Sequence, residues 1–124
     1  MPDSASWVDL VGDLIVARMR GDATEELLRK VQEDVLKLAA ETGRSRVLLD
    51  VLELNPPPVA LTSLQRKLDE DHRALGLRRA IVVPDSRLAY LARLAFGEGD
   101  YRVFYNDMVG AVKWLGRDTD ATKP

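Results

Sequence analysis

The side chains best placed for chemistry in this sequence are three aspartates and a neighbouring pair of hydroxyls. Asp22, Asp85 and Asp107 each follow a predicted strand and stand at or next to a predicted helix start. Carboxylates gathered at strand ends are a common way to hold Mg²⁺ for phosphoryl transfer. An aspartate at a helix start also accepts hydrogen bonds from the free backbone N–H groups there. Helix capping accounts for all of these acids, so we expect no metal site and no cofactor.

The hydroxyl pair, Thr62 and Ser63, lies near the start of the second predicted helix, where no acid precedes it. A phosphate at such a position is stabilised by the helix dipole and by the free N–H groups of the first turn. We therefore treat Thr62 and Ser63 as the candidate phosphorylation site. The alternative is that Thr62 simply caps this helix.

A proline-rich connector precedes the same helix, and we call residues 56–61 the proline platform. Each of its prolines lacks an N–H and fixes φ, so the connector is stiff. A stiff loop that presents small apolar side chains loses little conformational entropy when it binds. Core packing under the sheet edge is the alternative. The predicted ligand or partner surface consists of Pro56, Pro57, Pro58, Val59 and Leu61.

The one histidine and a group of basic residues are weaker candidates for a functional site. His72 lies beside the apolar stripe of the second helix. A catalytic histidine works with a positioned partner, and none is visible in sequence, so we expect a packing residue. The basic residues alternate with acids, which favours a solvated face with neutralised charge. These basic residues are Arg66, Lys67, Arg73, Arg78 and Arg79.

The hydrophobic pattern predicts the elements that position these residues. Two β-favouring runs, at residues 7–10 and 14–19, flank a Gly-Asp pair typical of a hairpin turn. The apolar run at residues 46–54 predicts a strand covered on both faces, residues 79–83 predict a short buried strand, and the alternating residues 101–105 predict a final strand. Between these strands, apolar residues recur every three to four positions, which predicts helices. The order β-β-α-β-α-β-α-β-α predicts an α/β fold: a mostly parallel five-stranded sheet with an N-terminal antiparallel strand and four helices.

Helix boundaries follow from capping residues and glycines. Asp22 is the predicted cap of the first helix, which ends at Gly43. The second helix carries leucines up to Leu75 on its apolar face. The last helix is predicted to bury Val109, Val112 and Leu115.

Composition limits the classes of function. The chain has 124 residues, 46% of them hydrophobic and 31% charged, which suits one globular domain. A formal net charge of -2 leaves no basic excess for nucleic acid, and the absence of cysteine excludes thiol chemistry. The N-terminus shows no targeting pattern, and no apolar run reaches the length of a membrane span. We expect a cytoplasmic protein that does not span a membrane.

Several segments together resemble a known family. Over about residues 7–116 the sequence resembles the SpoIIAA-like family, a branch of the STAS (sulfate transporter and anti-sigma antagonist) fold that is also grouped with SEC14-like lipid-binding domains. Residues 117–124 are polar and show no periodicity, so we expect a flexible tail. The resemblance implies a single STAS-type domain at residues 1–116 and a regulatory or ligand-binding role. The segments that carry it are Leu49-Asp50, residues 79–83, Arg102-Val103-Phe104 and Lys113-Trp114-Leu115.

Anti-sigma antagonists of this fold carry a phosphorylatable serine, preceded by an aspartate, at the start of the second helix. The corresponding stretch here, residues 56–60, has no Asp-Ser pair. Thr62 and Ser63 follow two or three positions later. The resemblance therefore implies a phosphorylation switch only with a shifted register.

These observations lead to one preferred function and two alternatives. We expect a non-enzymatic binding or regulatory module that docks a protein partner or holds a small apolar ligand. The alternatives are a self-associating scaffold, which would form a homodimer, and a small enzyme. A binding module predicts a concave apolar site near residues 56–64, whereas a scaffold predicts a flat apolar patch paired across a two-fold axis.

Overall fold

The computed structural model describes residues 4–96 and 100–117, with the side chains of residues 71–74 left aside. Its elements confirm the predicted order of strands and helices. No helix in these ranges is both long and apolar enough to cross a membrane. The elements are β1 (Ala5–Val11), β2 (Leu14–Asp22), α1 (Glu25–Thr42), β3 (Arg46–Asn55), α2 (Ala60–Ala74), β4 (Arg78–Val83), α3 (Ser86–Phe96), β5 (Tyr101–Tyr105) and α4 (Met108–Leu115).

The five strands form one sheet in the order β1-β2-β3-β4-β5. β1 is antiparallel to β2, and every other neighbouring pair is parallel, which confirms the predicted fold class. Each crossover moves one strand further in the same direction. Right-handed crossovers of this kind place their helices on the same face of the sheet. α1, α2 and α3 therefore share one face, the three-helix face, and α4 covers part of the opposite one, the one-helix face.

Successive side chains of a strand point to opposite faces of the sheet, so each face has its own hydrophobic core. Leu49 and Ile81 pack in the core of the three-helix face. Leu48 and Val82, their neighbours in sequence, pack in the core of the one-helix face. Because β3 and β4 are central and covered on both sides, they read as nearly continuous apolar runs.

A bulge interrupts the pairing of β2 with β3. Arg18 lies opposite Asp50, whereas Arg20 lies opposite Glu53, so β3 has one extra residue in this interval. The extra residue shifts the alternation of β3. Val51 and Leu54 consequently both enter the core of the three-helix face.

The first helix is capped by Thr24, so the prediction of an Asp22 cap is wrong. The Leu27 N–H donates to Thr24 Oγ1 at 3.1 Å. β2 continues as far as Asp22 because it pairs with β3 up to Asn55. At the other end, Gly43 adopts a left-handed conformation with φ 73°, as predicted, and its N–H donates to Ala39 O.

The predicted faces of α2 and α4 also need correction. In α4, Val109 and Val112 are 67% and 41% exposed, and the buried residues are Ala111 and Leu115. The helix begins at Met108, so positions 108, 111 and 115 form the face that contacts the sheet. Leu75 is exposed because α2 ends before it, at Ala74. Residues 118–124 of the predicted tail lie outside the described residues.

Candidate functional site

The carboxyl ends of β2 to β5 form one edge of the sheet, and the aspartates there are held by hydrogen bonds. The Asn55 side-chain amide donates to Asp22 Oδ1 at 2.8 Å. Asp85 accepts from the Leu88 N–H at 3.0 Å, and Asp107 accepts from the Gly110 N–H at 2.9 Å. Asp85 and Asp107 are therefore helix caps. Within the described ranges, no three His, Cys, Asp or Glu side chains gather as metal ligands.

The proline platform connects β3 to α2 at this edge. Val59 is 61% exposed, and Pro56 and Pro58 are exposed as well, whereas Pro57 and Leu61 are half-buried. The Leu61 N–H donates to Pro58 O at 3.0 Å, which begins the first turn of α2 on the platform itself. The platform thus has an exposed apolar surface, and its other two apolar side chains, Pro57 and Leu61, lie partly in the protein interior.

The two candidate hydroxyls differ in their surroundings. Thr62 is 9% exposed, and its hydroxyl donates to Val59 O at 2.6 Å. Ser63 is exposed. The first turn of α2 contains no acidic residue. A modifying enzyme would therefore meet the Ser63 hydroxyl at the surface and the Thr62 hydroxyl only after that turn opened.

An apolar cavity of about 80 Å³ lies between the sheet and the three helices of the three-helix face. Pro57, Leu61 and Thr62 line it, and Pro56, Pro58, Val59 and Ser63 do not. The half-exposed members of the lining mark its mouth, between the platform, α2 and α3. They are Pro57, Leu61, Gln65 and Ala92.

Gln32 of α1 is a polar side chain in this mostly apolar lining, together with Thr62 and Gln65 of α2. It is 4% exposed, and its amide nitrogen donates to Leu68 O of α2. Among the described residues, nothing donates to Gln32 Oε1, which is also buried. Gln32 therefore joins α1 to α2 beside the cavity, and its own side-chain oxygen is enclosed by protein. Sequence reasoning missed it, although a glutamine between Val31 and Val35 on a buried helix face is a visible signal.

A buried ion pair lies beside the cavity. Arg79 of β4 and Asp69 of α2 contact each other with both side chains fully buried. The Arg79 guanidinium lies 5.1 Å from the ring centre of Phe96, which lines the cavity. Burial lowers the pKa of Arg79 to about 10, and nearby Asp100 and Tyr101 oppose this lowering. The arginine remains charged at neutral pH and ties α2 to the sheet.

This pair corrects the prediction that the basic cluster forms one solvated face. Arg79 is in the core because it shares the inward side of β4 with Ile81. Arg78 points to the opposite face, where its guanidinium lies 3.9 Å from the ring centre of Trp114. Arg66 donates to Leu94 O at 2.6 and 3.2 Å and so joins α2 to α3. Arg73 and His72 fall within residues 71–74, whose side chains lie outside the described part of the chain.

The closest aromatic contacts near the site join strand and helix. Phe96 and Tyr101 have ring centres 5.6 Å apart on the three-helix face. Phe104 and Trp114 are 5.9 Å apart on the one-helix face. Tyr90 and Tyr105 are 59% and 47% exposed, so these two lie outside the core.

Comparison with solved structures identifies the fold. An anti-sigma factor antagonist from Mycobacterium paratuberculosis superposes with a TM-score of 0.68 at 9% identity, over 91% of this chain and 94% of that one. An uncharacterised protein with a SpoIIAA-like fold from Shewanella loihica gives 0.64 at 21% identity, over 93% and 95%. Unphosphorylated SpoIIAA, an anti-sigma factor antagonist, gives 0.64 at 10% identity, over 90% and 96%. The chain has a SpoIIAA-like STAS fold, as the sequence resemblance implied.

Sequence comparison is less informative. No family model matches the chain. A glutamate–tRNA ligase of Polynucleobacter asymbioticus is 28% identical over 133 aligned residues, which cover 94% of this chain. The chain spans only 28% of that enzyme's length, so the ligase activity belongs to a much longer protein.

Proposed function

We propose that this protein is a non-enzymatic regulatory module that holds a small apolar ligand beneath the proline platform. One observation carries the proposal: Pro57 and Leu61 belong both to the surface loop and to the lining of the apolar cavity. A ligand in the cavity would touch the platform from inside. A bound ligand would thereby change the conformation of the platform surface that a protein partner contacts.

The hydrogen bonds at the strand ends support a non-enzymatic role. Asp22 is engaged by Asn55, and Asp85 and Asp107 satisfy the first turns of α3 and α4. Carboxylates used in this way contribute to stability and are not left poised for proton transfer or metal binding. The fold supports a regulatory role, because solved proteins that share it are anti-sigma factor antagonists.

Native mass spectrometry of the purified chain tests the ligand. We expect the wild-type protein to carry a small non-covalent adduct. Replacing Pro56, Pro57 and Pro58 by Gly-Ser-Gly should remove most of the adduct, because the platform would lose its stiffness, and should lower the melting temperature only slightly.

Ala92→Leu serves as the second variant, since Ala92 lies at the mouth but outside the platform. It should also remove the adduct. A Gly-Ser-Gly variant that melts much lower yet keeps its adduct would show that the platform is a structural brace. The same spectra report whether the chain is a monomer or a homodimer.

Docking of a protein partner is the second candidate function, favoured by the exposed outer surface of the platform. Val59 is 61% exposed beside the exposed Ser63, at a helix start without acidic residues. Phosphate on Ser63 would lie at the positive end of the α2 dipole and would change the charge of this surface. We propose Ser63, rather than Thr62, as the residue that is modified.

Two charge-mimicking variants separate the hydroxyls. Ser63→Asp should leave the melting temperature within a few degrees of wild type, because the new charge is solvated and favourably placed. Thr62→Glu should lower it clearly, since it removes a buried hydroxyl that donates to Val59 O. Phosphopeptide mapping of the protein purified from its own cells would contradict the assignment if phosphate were found on Thr62 and not on Ser63.

A further inference from the structure

We infer that two copies of this chain pair through the outer edge of β1, across a two-fold axis at Trp7, and so join their two sheets into one continuous sheet. The inference goes beyond the proposed function, because neither the cavity nor the proline platform takes part in it. Its evidence comes from the backbone, the side chains and the charges of β1 and β2.

The outer edge of β1 is a row of backbone groups that β2 does not use. β1 is the end strand of the sheet, and no strand of the described residues pairs with its outer side. Val11 and Leu14 close a two-residue hairpin turn, so every second residue back from Val11 bonds to β2. The residues between them, Ser6, Val8 and Leu10, point their N–H and C=O groups away from β2. Such a row is a template for another strand.

One of these outward groups is already occupied. The Leu10 N–H donates to Asp9 Oδ1 at 2.8 Å, which also confirms that it points away from β2. A strand that paired with Leu10 would have to break this hydrogen bond. An incoming strand therefore has its free donors at Ser6 and Val8.

A second copy of this chain fits the edge, because a two-fold axis makes every contact of an antiparallel strand pair twice. The axis can lie at Trp7, at Val8 or at Asp9. At Trp7, Ser6 pairs with the partner's Val8 on both sides of the axis before the ladder reaches Leu10. An axis at Val8 reaches Leu10 sooner, and an axis at Asp9 uses it at once. The occupied Leu10 N–H thus favours the axis at Trp7.

The side chains of β1 favour the same register. Val8 and Leu10 pack against the core of the three-helix face, so Trp7 and Asp9 project from the one-helix face. An axis at Trp7 places the two tryptophans opposite each other, and Trp7 is 48% exposed in the single chain. Cross-strand aromatic pairs stabilise a sheet and remove apolar surface from water. An axis at Asp9 would instead place two carboxylates opposite each other.

The charges are complementary in this register. Asp9 faces the partner's Ala5, and Ala5 lies beside Arg20 in the pairing of β1 with β2. The Cα atoms of Asp9 and the partner's Arg20 would be about 10 Å apart. A long arginine side chain can reach the carboxylate over the small alanine between them. Neither Asp9 nor Arg20 forms an ion pair with another residue of the described ranges.

Sedimentation velocity of the full chain over a concentration series tests the dimer. One strand from each copy makes a small interface, so we expect a reversible dimer that dissociates on dilution. Val8→Pro removes an N–H that points outward, so the dimer should be lost while β1 still pairs with β2. Val8→Ala, the matched control, keeps this N–H and should remain dimeric. Circular dichroism shows whether each variant is folded.

Exchange of the two charges tests the register. Asp9→Arg and Arg20→Asp should each weaken the dimer about tenfold, because the two-fold axis repeats the lost contact. The double variant Asp9→Arg/Arg20→Asp should regain most of the affinity, since the charges are then complementary again. Lys67→Asp, an equal change of charge on the exposed side of α2, should leave the affinity unchanged.

The possible outcomes decide both the interface and the register. A wild-type chain that stays monomeric across the series overturns the inference, and so does a dimer that persists in folded Val8→Pro. If Val8→Pro does not fold, Trp7→Thr decides, because it removes an exposed side chain and should still dissociate the dimer. A double charge variant that dimerises no more tightly than the single variants overturns the axis at Trp7.

Discussion

The two faces of the sheet each contain an arginine–aspartate pair, and the two pairs meet water very differently. On the three-helix face, Arg79 and Asp69 are both fully buried and join β4 to α2. On the one-helix face, Arg18 and Asp50 lie 3.0 Å apart and join two strands, with the Arg18 side chain 55% exposed. In the first pair both side chains are shut off from water, whereas in the second only the Asp50 carboxylate is buried. The same two residue types should therefore contribute very different amounts to stability.

The largest expected effect is the loss of the buried carboxylate. Asp69→Leu removes the partner of a fully buried guanidinium, which should lower the free energy of unfolding by about 3–5 kcal/mol. Urea unfolding followed by circular dichroism measures this. The double variant Asp69→Leu/Arg79→Met should regain much of the loss, because no buried charge remains. A single variant as stable as wild type would mean that water hydrates Arg79.

Truncating one leucine on each side of β3 should have the next largest effect. Leu49→Ala and Leu48→Ala should each lower the free energy of unfolding by about 2–5 kcal/mol, since both side chains are buried. Of the two, Leu49 alone lines the cavity, so its truncation should enlarge that space and strengthen the binding of a small apolar probe such as benzene. An unchanged urea midpoint for Leu49→Ala would place β3 outside the core.

Arg18→Met should cost about 1–3 kcal/mol, less than Asp69→Leu, because the buried Asp50 carboxylate loses its ion pair but still accepts a hydrogen bond from the Leu52 N–H. The effect should shrink further in 1 M NaCl, where the Debye length is about 3 Å. Unfolding curves with and without salt check this. The cost of Asp69→Leu should hardly change with salt, and if both costs fell together the contrast between the faces would be wrong.

The smallest effect is expected on the outer side of α4. Val109→Ser and Val112→Ser should change the free energy of unfolding by no more than about 0.5 kcal/mol each, because both side chains are exposed. Sedimentation analysis of the double variant also tests the self-associating scaffold. A wild-type dimer that dissociates in this variant would favour the scaffold and assign its interface to α4.

Some features of this fold could be predicted from the sequence, and others could not. Alternation and helical period are local signals, so the order of the elements, the parallel sheet and the position of the proline platform were predictable. The start of α1 and the buried face of α4 were not, because β2 pairs further than its apolar run and the positions of α4 that contact the sheet depend on how the helix packs. Capping preferences alone do not contain this tertiary information.

The buried ion pair and the cavity were harder to predict for a different reason. Arg79 stands in a run of charged residues that reads as a solvated face, although its alternation with Ile81 and Val83 shows that it points inward. The cavity depends on how three helices pack over one sheet, which no local pattern encodes. Gln32 could be recognised as unusual on a buried face, but its unused acceptor became visible only with α2 in place.

The strands lie in the sheet in the same order in which the ribosome makes them. Each new strand pairs with the one synthesised just before it, and no strand has to be inserted between two others. Each step closes only one connection, a tight turn between β1 and β2 or a single helical crossover between later strands, which limits its entropic cost. The chain can therefore assemble from β1 onward during synthesis. Until the next strand emerges, the newest strand has an unpaired edge. β5 is the last strand to be added, and it covers the edge of β4.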